Sequence, residues 1–452
     1  MTLVPNRLPR LSGNKIIWAL AWMMILFISC GGTKQTVAQN PHTQTPKVPQ
    51  QIVVKKDEAP SSPPQTPVVR DTIVPPKPIV EIPKEETNLP QKNYKVLCFL
   101  PLQADQYVGS GSEDERFLHY YAGIRMALRD LSDQGYGVKF VFRDSGKPIK
   151  FDKTFDEVDM ILGPNDKDQL KQLIDWGQAN KVTVVSPWYT STKITTDNPN
   201  YLQMRPNLRE HFARMIDHAL HNHGSSSICI LGRNTTSEKA WFNFIQEKAK
   251  IHTNNSGGQP IMVHYLREDS LAVGKQNFKK AFDAGKTVFI VPHYSFGDEN
   301  FVYNVFRKLN SEKMGREVIV YGMPMLIESD KIDTEFYRAL NLRIVLSEFV
   351  EEGSGTIQNF TSRYYERFFT LPTKDAIEGY DKIFFLISQL TAHGPDFLEK
   401  IEGLQFDYLQ SSYIIRRNER EEGANEGKTS FDFYENKYLD VIGFQQGRFR
   451  KM

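Results

Sequence analysis

Lys95-Val96-Leu97-Cys98-Phe99-Leu100 is an almost unbroken apolar run. A strand with one wet face alternates apolar and polar residues, so a run this uniform reads as a parallel strand buried on both faces. The next stretch, Glu113 to Gln134, changes period. Phe117, Tyr120, Tyr121, Ile124, Ala127, Leu128 and Leu131 recur at three-to-four spacing, which is one face of an amphipathic helix. Gly135 then stands where a left-handed C-cap is wanted. Strands Val138 to Arg143 and Met160 to Leu162, a helix from Asp166 to about Ala179 and a strand Val182 to Val185 continue the pattern. The alternation predicts a parallel sheet covered by helices.

The rhythm restarts after Arg205. Helix Leu208 to His221 leads to strand Ser227 to Leu231, helix Ser237 to Lys250, strand Ile261 to Leu266 and helix Leu271 to Ala284. Strand Thr287 to Val291, helix Asn300 to Leu309 and strand Glu317 to Tyr321 follow. Two successive α/β units imply two lobes. The C-terminal quarter offers strand Arg343 to Glu348, helices Phe360 to Phe369 and Asp375 to Thr391, and late strands over Phe406 to Ile415 and Lys437 to Phe444. The polar run Arg416 to Thr429 reads as an exposed hairpin loop.

Several strings fall in a telling order: Gly123-Ile124-Arg125-Met126-Ala127-Leu128, Phe142-Arg143-Asp144-Ser145, Ile161-Leu162-Gly163-Pro164 and Val184-Val185-Ser186-Pro187. Tyr201-Leu202-Gln203-Met204-Arg205-Pro206 and Glu378-Gly379-Tyr380-Asp381 complete the series. With the element order, they resemble type I periplasmic binding proteins of the leucine/isoleucine/valine-binding kind. The resemblance runs from Tyr94 to about Phe449. It implies an α/β fold of two lobes, each a mostly parallel sheet flanked by helices, joined by three crossings and closing on a small-molecule ligand in the interlobe cleft. On that basis residues 94–205 plus 323–391 form the first lobe, and residues 206–322 plus 392–452 the second lobe with a C-terminal hairpin.

Open α/β sheets bind ligands beyond the carboxyl ends of their strands, and clefts between domains are common ligand sites. The loop Ser186-Pro187-Trp188-Tyr189-Thr190-Ser191-Thr192 follows such an end and is rich in hydroxyls and aromatics. By resemblance to amino-acid binders, Ser186, Tyr189 and Thr190 hold a ligand carboxylate, with Trp188 in the same loop. A polar, turn-forming loop is the competing reading. Asn165, after Gly163-Pro164, occupies a position where amino-acid binders often place a serine. His293 and Tyr294 follow another strand, where a cleft tyrosine is frequent in the family.

Two departures bear on the ligand. Amino-acid binders usually carry an acid after the strand that here ends at Tyr321, yet the chain reads Gly322-Met323-Pro324-Met325, with no carboxylate until Glu328. The loop after Leu231 reads Gly232-Arg233-Asn234 where the family tends to show an acidic residue. An ammonium without a partner in a closed cleft is costly. The expectation is therefore an anionic, sugar-like or peptide-like ligand against Arg233 and a loop lined by Met323, in place of an ordinary α-amino acid.

The N-terminus carries an address. Arg7, Arg10 and Lys15 precede an apolar stretch from Ile16 to Ile28, a secretory signal pattern shorter than the ~20 residues of a comfortable membrane span. Leu26-Phe27-Ile28-Ser29-Cys30-Gly31-Gly32 resembles a bacterial lipoprotein lipobox, so residues 1–30 read as signal peptide and Cys30 as the lipidated residue; an uncleaved anchor helix is the alternative. Gly31 and Gly32 lack the aspartate that commonly retains lipoproteins at the inner membrane, which leans towards the outer membrane. Residues 31–93 hold about half of the chain's 25 prolines and read as a disordered tether. Its mean reach as a coil is on the order of 45 Å.

Composition narrows the rest. A formal net charge of +2 offers no nucleic-acid footprint. Cys98 and Cys229 lie in apolar runs and read as buried free thiols. His211, His218, His221 and His223 crowd one helix and its end, without the tight i,i+4 pair that zinc helices use. No nucleophile elbow, phosphate-cradling glycine loop or Cys/His pair at credible spacing is present, so no enzyme activity and no cofactor are expected. The leading expectation is a periplasmic, lipid-anchored solute-binding protein serving a transporter or sensor. The alternative is a cell-wall regulator resembling the penicillin-binding-protein activator lipoproteins, with a peptidoglycan synthase as partner.

Overall fold

The computed structural model describes residues 93–103, 113–256, 261–351, 353–420 and 431–452. The expected signal segment, Cys30 and tether lie outside the described residues. The chain begins with β1 (Tyr94–Leu100), α1 (Glu113–Asp133), β2 (Val138–Asp144), β3 (Met160–Leu162), α2 (Lys167–Asn180), β4 (Thr183–Ser186) and β5 (Tyr201–Gln203). It continues with α3 (Leu208–His223), β6 (Ile228–Arg233), α4 (Thr236–Ser256), β7 (Met262–Leu266), α5 (Glu268–Ala272), α6 (Lys279–Asp283) and β8 (Val288–Ile290). Next come α7 (Glu299–Glu312), β9 (Ile319–Gly322), α8 (Met325–Glu328), α9 (Thr334–Ala339), β10 (Arg343–Leu346), α10 (Gly355–Phe368) and α11 (Lys374–His393). The last elements are α12 (Phe397–Lys400), β11 (Gln405–Asp407), β12 (Ser412–Glu419), β13 (Phe431–Asn436), β14 (Asp440–Gln445) and β15 (Arg448–Lys451).

Two sheets result, ordered β11-β12-β13-β5-β4-β3-β1-β2 and β15-β14-β10-β9-β8-β6-β7. Both are parallel except at one end, where β11–β12 and β12–β13 in the first sheet and β10–β14 and β14–β15 in the second pair antiparallel. The opening strand is buried on both faces, as its composition requires. Val96, Cys98 and Leu100 join a core with α1 and α11, while Leu97 and Phe99 join another with Leu170, Leu173 and Ile174 of α2. Cys98 and Cys229 are buried free thiols, and burial pushes the Cys229 thiol up to about 12. Gly135 takes φ +89° and ends α1, with the Tyr136 amide donating to the Leu131 carbonyl at 2.9 Å.

Helices α1 and α11 cross at two glycines. A Cβ on Gly123 would collide with the Ala376 carbonyl, and one on Gly379 with the Tyr120 carbonyl. Neither obstacle is a flexible side chain, so the helices would have to part. Gly123→Val should therefore cost about 1–3 kcal/mol, read as a lower urea midpoint; an unchanged midpoint would show that this crossing is not close-packed.

Several expectations need correction. The helix over 271–284 is two short helices, because Gly274 adopts φ +71° and the Lys275 amide turns back to the Ser270 carbonyl at 2.8 Å. The strand over Phe406 to Ile415 is a hairpin of β11 and β12, with Arg416 to Glu419 extending β12 beyond the expected loop start. Phe431–Asn436 forms β13, parallel to β5, and the strand expected over 437–444 begins only at Asp440. The lobe boundaries also shift. β10 continues the second parallel ladder beside β9 and accepts β14, so it leaves the first lobe to which 323–391 had been given. Strands β11 to β13 leave the second lobe for the first sheet. The chain passes between sheets after Gln203, after Leu346 and after Asn436.

Candidate functional site

The carboxyl ends of the parallel strands carry the loops singled out in the sequence. In the loop after β4, Ser186 is fully buried, and its Oγ donates to the Tyr189 carbonyl at 3.0 Å. Gln203 accepts from the Ser191 amide at 2.7 Å, and Lys382 Nζ donates to the Pro187 carbonyl at 2.9 Å. Trp188 packs edge-on against Phe117 and Tyr120, with ring centroids 5.2 and 4.9 Å away. Ser186 and Trp188 thus hold the loop down. The residues this loop and its neighbour leave open are Thr190 and Asn165, both exposed, with Tyr189 half-buried.

The second-lobe tips converge on Arg233, at the end of β6. Its guanidinium pairs closely with Glu238 and Asp298 and reaches Glu268 at 3.3 Å, with Cζ over the Phe301 ring at 4.9 Å. Glu238 also accepts from the Arg233 amide at 2.5 Å and contacts His293 Nε2 at 3.2 Å. Burial would raise the Glu238 carboxyl, but His293 and Arg233 outweigh it and hold it below the usual range. The expectation that Arg233 receives an anionic ligand is corrected: Glu238, Asp298 and Glu268 already take up its guanidinium, and three carboxylates against one guanidinium make this tip acidic. Met323 is buried in the second-lobe core and does not line an open loop.

Arg233, Glu238, Trp241, His293, Tyr294 and Asp298 border a cavity of about 110 Å³, well below the ~300 Å³ at which small-molecule pockets begin. Tyr294 is exposed, whereas His293 is buried with Nδ1 unpartnered among the described residues. A larger hollow of about 590 Å³ lies at the β14–β15 hairpin, beside Arg338 and Phe444 and away from the strand tips.

Beneath the tips, a buried polar cluster joins the crossings. Arg205 donates to Glu378 at 3.0 Å and approaches Glu348 at 3.5 Å. Lys382 pairs closely with Glu378 and reaches Glu348 at 3.3 Å. Burial opposes ionisation of Glu348, but Arg205 and Lys382 outweigh it and lower its pKa. Asp381 accepts the Leu409, Gln410 and Ser411 amides at 3.1, 2.9 and 3.0 Å. Glu435 accepts from the Asn207 amide at 2.6 Å, from Gln203 Nε2 at 3.0 Å and from Lys437 at 2.7 Å. Lys374 meets Glu328 at 2.8 Å, an exposed pair linking the start of α11 to the end of α8.

Sequence reasoning missed Glu238, Glu268 and Asp298, which lie in or beside the first turns of α4, α5 and α7 and read singly as ordinary helix-start acids. It also missed the Glu378–Lys382 pair. Among the described residues no three His, Cys, Asp or Glu side chains are grouped to hold a metal, and no helix is long and apolar enough to cross a membrane.

No protein-family model matches the sequence. No curated protein matches it either. Among solved structures, the chain is similar to a protein of Rhodospirillum rubrum assigned to branched-chain amino acid ABC transport, at 15% identity and a TM-score of 0.56, over 80% of this chain and 100% of that one. It is likewise similar to an ABC transporter substrate-binding protein of Desulfitobacterium hafniense, at 13% identity and a TM-score of 0.52, over 80% and 100% of the two chains. These likenesses show the two-lobed fold of type I periplasmic binding proteins.

Proposed function

We propose that this protein is an extracytoplasmic binding protein whose lobes close on a small amino-acid-like or peptide-like ligand. The observation that carries this reading is the acidic surplus around Arg233. It restores, from Glu238, Asp298 and Glu268, the negative charge that the loop after β9 lacks, and so gives a ligand ammonium a partner. Thr190, Tyr189 and Asn165 supply hydroxyl and amide groups for the opposite end. A purely anionic ligand is disfavoured by the same charge count. Binding, not turnover, is the activity, and closure follows from tighter contacts in the closed form.

Thermal-shift screening tests this. An amino acid or short peptide at a hundredfold excess over its Kd should stabilise the protein by about 2.7 kcal/mol. Glu238→Gln and Asp298→Asn should each weaken that ligand by roughly tenfold, the worth of a charge-assisted hydrogen bond. An unaltered affinity in both variants would remove the ammonium from the account.

One observation favours a second reading, a regulator that acts by protein contact. The cavity at the second-lobe tip is small and its arginine is already neutralised. Capture of a peptidoglycan synthase with no small-molecule shift would favour that role. Under either reading Cys30 anchors the chain by lipid, with the outer membrane as the destination. Cys30→Ser should abolish metabolic labelling with a fatty-acid analogue and release the protein into the soluble periplasmic fraction; persistent labelling would place the lipid elsewhere.

A further inference from the structure

A second cluster of charge lies on the second lobe, away from the strand tips. Tyr321 of β9 is fully buried, and its hydroxyl is the meeting point of His218 Nδ1 at 2.8 Å, His223 Nε2 at 3.4 Å and Arg343 Nη1 at 3.4 Å. Arg343 also lies over the Tyr321 ring, with Cζ 5.7 Å from its centre. Register extends the row. Arg343 is paired with Tyr321 on one side and Gly443 on the other, and Gly443 with Arg450, so all four positions share one sheet face. Gly443 contributes no side chain between the two arginines, and the flexible Met452 thioether covers the position.

The cations here are not spent. Arg343 and Arg450 make no ion pair among the described residues; Arg450 donates through Nη2 to Gln446 Oε1 at 3.2 Å, and its Nε is buried without a partner. From α3, Arg214 donates through Nε to the Leu439 carbonyl at 3.2 Å and keeps its charge uncompensated by that bond. Asp217, the neighbouring carboxylate on α3, is already engaged. Burial, then Arg214, Arg343, His223 and His221, lower the His218 imidazole to about 4. These are the groups that α3, β9, β10 and β15 bring to this face.

We propose that Arg343, Arg450 and His218 form a binding site for a phosphate-type oxyanion, independent of the ligand site at the strand tips. Planar guanidinium forks match such oxygens bidentately. A bound anion offsets the positive charge that Arg214 and Arg343 place beside His218.

Calorimetric titration of the full chain with inorganic pyrophosphate at pH 7.5 tests this. Saturable binding is expected. Arg343→Gln should weaken it by at least about tenfold, as should Arg450→Gln, a variant farther from the Tyr321 core, with circular dichroism unchanged in both. Cosedimentation with phosphatidylglycerol vesicles that pyrophosphate competes away would identify a lipid headgroup as the source of the oxyanion, and pyrophosphate binding without cosedimentation a soluble phosphate. Absence of saturable pyrophosphate binding, or wild-type affinity in both variants, would overturn the proposal.

Discussion

Replacing Lys382 by Met should destabilise the folded body by about 3–5 kcal/mol, the cost of breaking a buried ion pair from one side. The side chains of Lys382 and Glu378 are 1% and 3% exposed, so no solvent replaces the lost ammonium. Arg205 would be left alone to balance Glu378 and Glu348, and the Pro187 carbonyl would lose its donor. The double variant Glu378→Met, Lys382→Met should recover much of the loss, because a buried pair replaced by apolar groups is often neutral. Denaturant unfolding of the single and double variants measures the coupling. A single-variant loss under about 1 kcal/mol, the range of solvent-exposed pairs, would mean that the cluster is wet and does not fix the crossings.

Asp381 should make stability fall as pH rises. Burial pushes its carboxyl up to about 7, against the three amides that favour ionisation, with Glu348 adding to the rise. An unfolded aspartate titrates near ~3.9, so between about pH 4 and that folded value the folded chain holds a proton that the unfolded chain has released. The stability tied to that proton is whole below about pH 4 and is lost as pH climbs through about 7. The full span is roughly 4 kcal/mol at about 1.4 kcal/mol per unit. Glu348 and Glu238, both lowered, act in the opposite sense and lose their contribution in acid. The informative quantity is therefore the difference between the wild type and Asp381→Asn, which keeps an acceptor oxygen but does not titrate. That difference should shrink steadily from pH 4 to 8 in urea titrations. A flat difference would place Asp381 among ordinary ionised carboxylates.

The alternation of strand and helix was legible because strands buried on both faces, such as Val96 to Leu100, cannot be mistaken for half-wet ones. Sheet membership was not. Arg343–Leu346 is a short, mostly apolar strand and Phe431–Asn436 a short, half-polar one, and only long-range pairing decides that the first lies beside β9 and the second beside β5. The acidic tip was hidden for a related reason: Glu238, Glu268 and Asp298 come from separate elements and meet only through Arg233. Glu378 and Lys382 look like a solvent-facing i,i+4 pair. The available signal was their helix, whose apolar residues occupy nearly every side from Ala376 to Leu390, the mark of a helix buried all round.

Native mass spectrometry of the protein purified from the cells that make it tests the central claim most directly. A bound small molecule carrying an ammonium group, at one per chain and depleted in Glu238→Gln and Asp298→Asn, is the expected result. An empty wild-type protein that also fails to take up any amino acid or peptide on addition, or a bound molecule retained in full by both variants, would contradict the account.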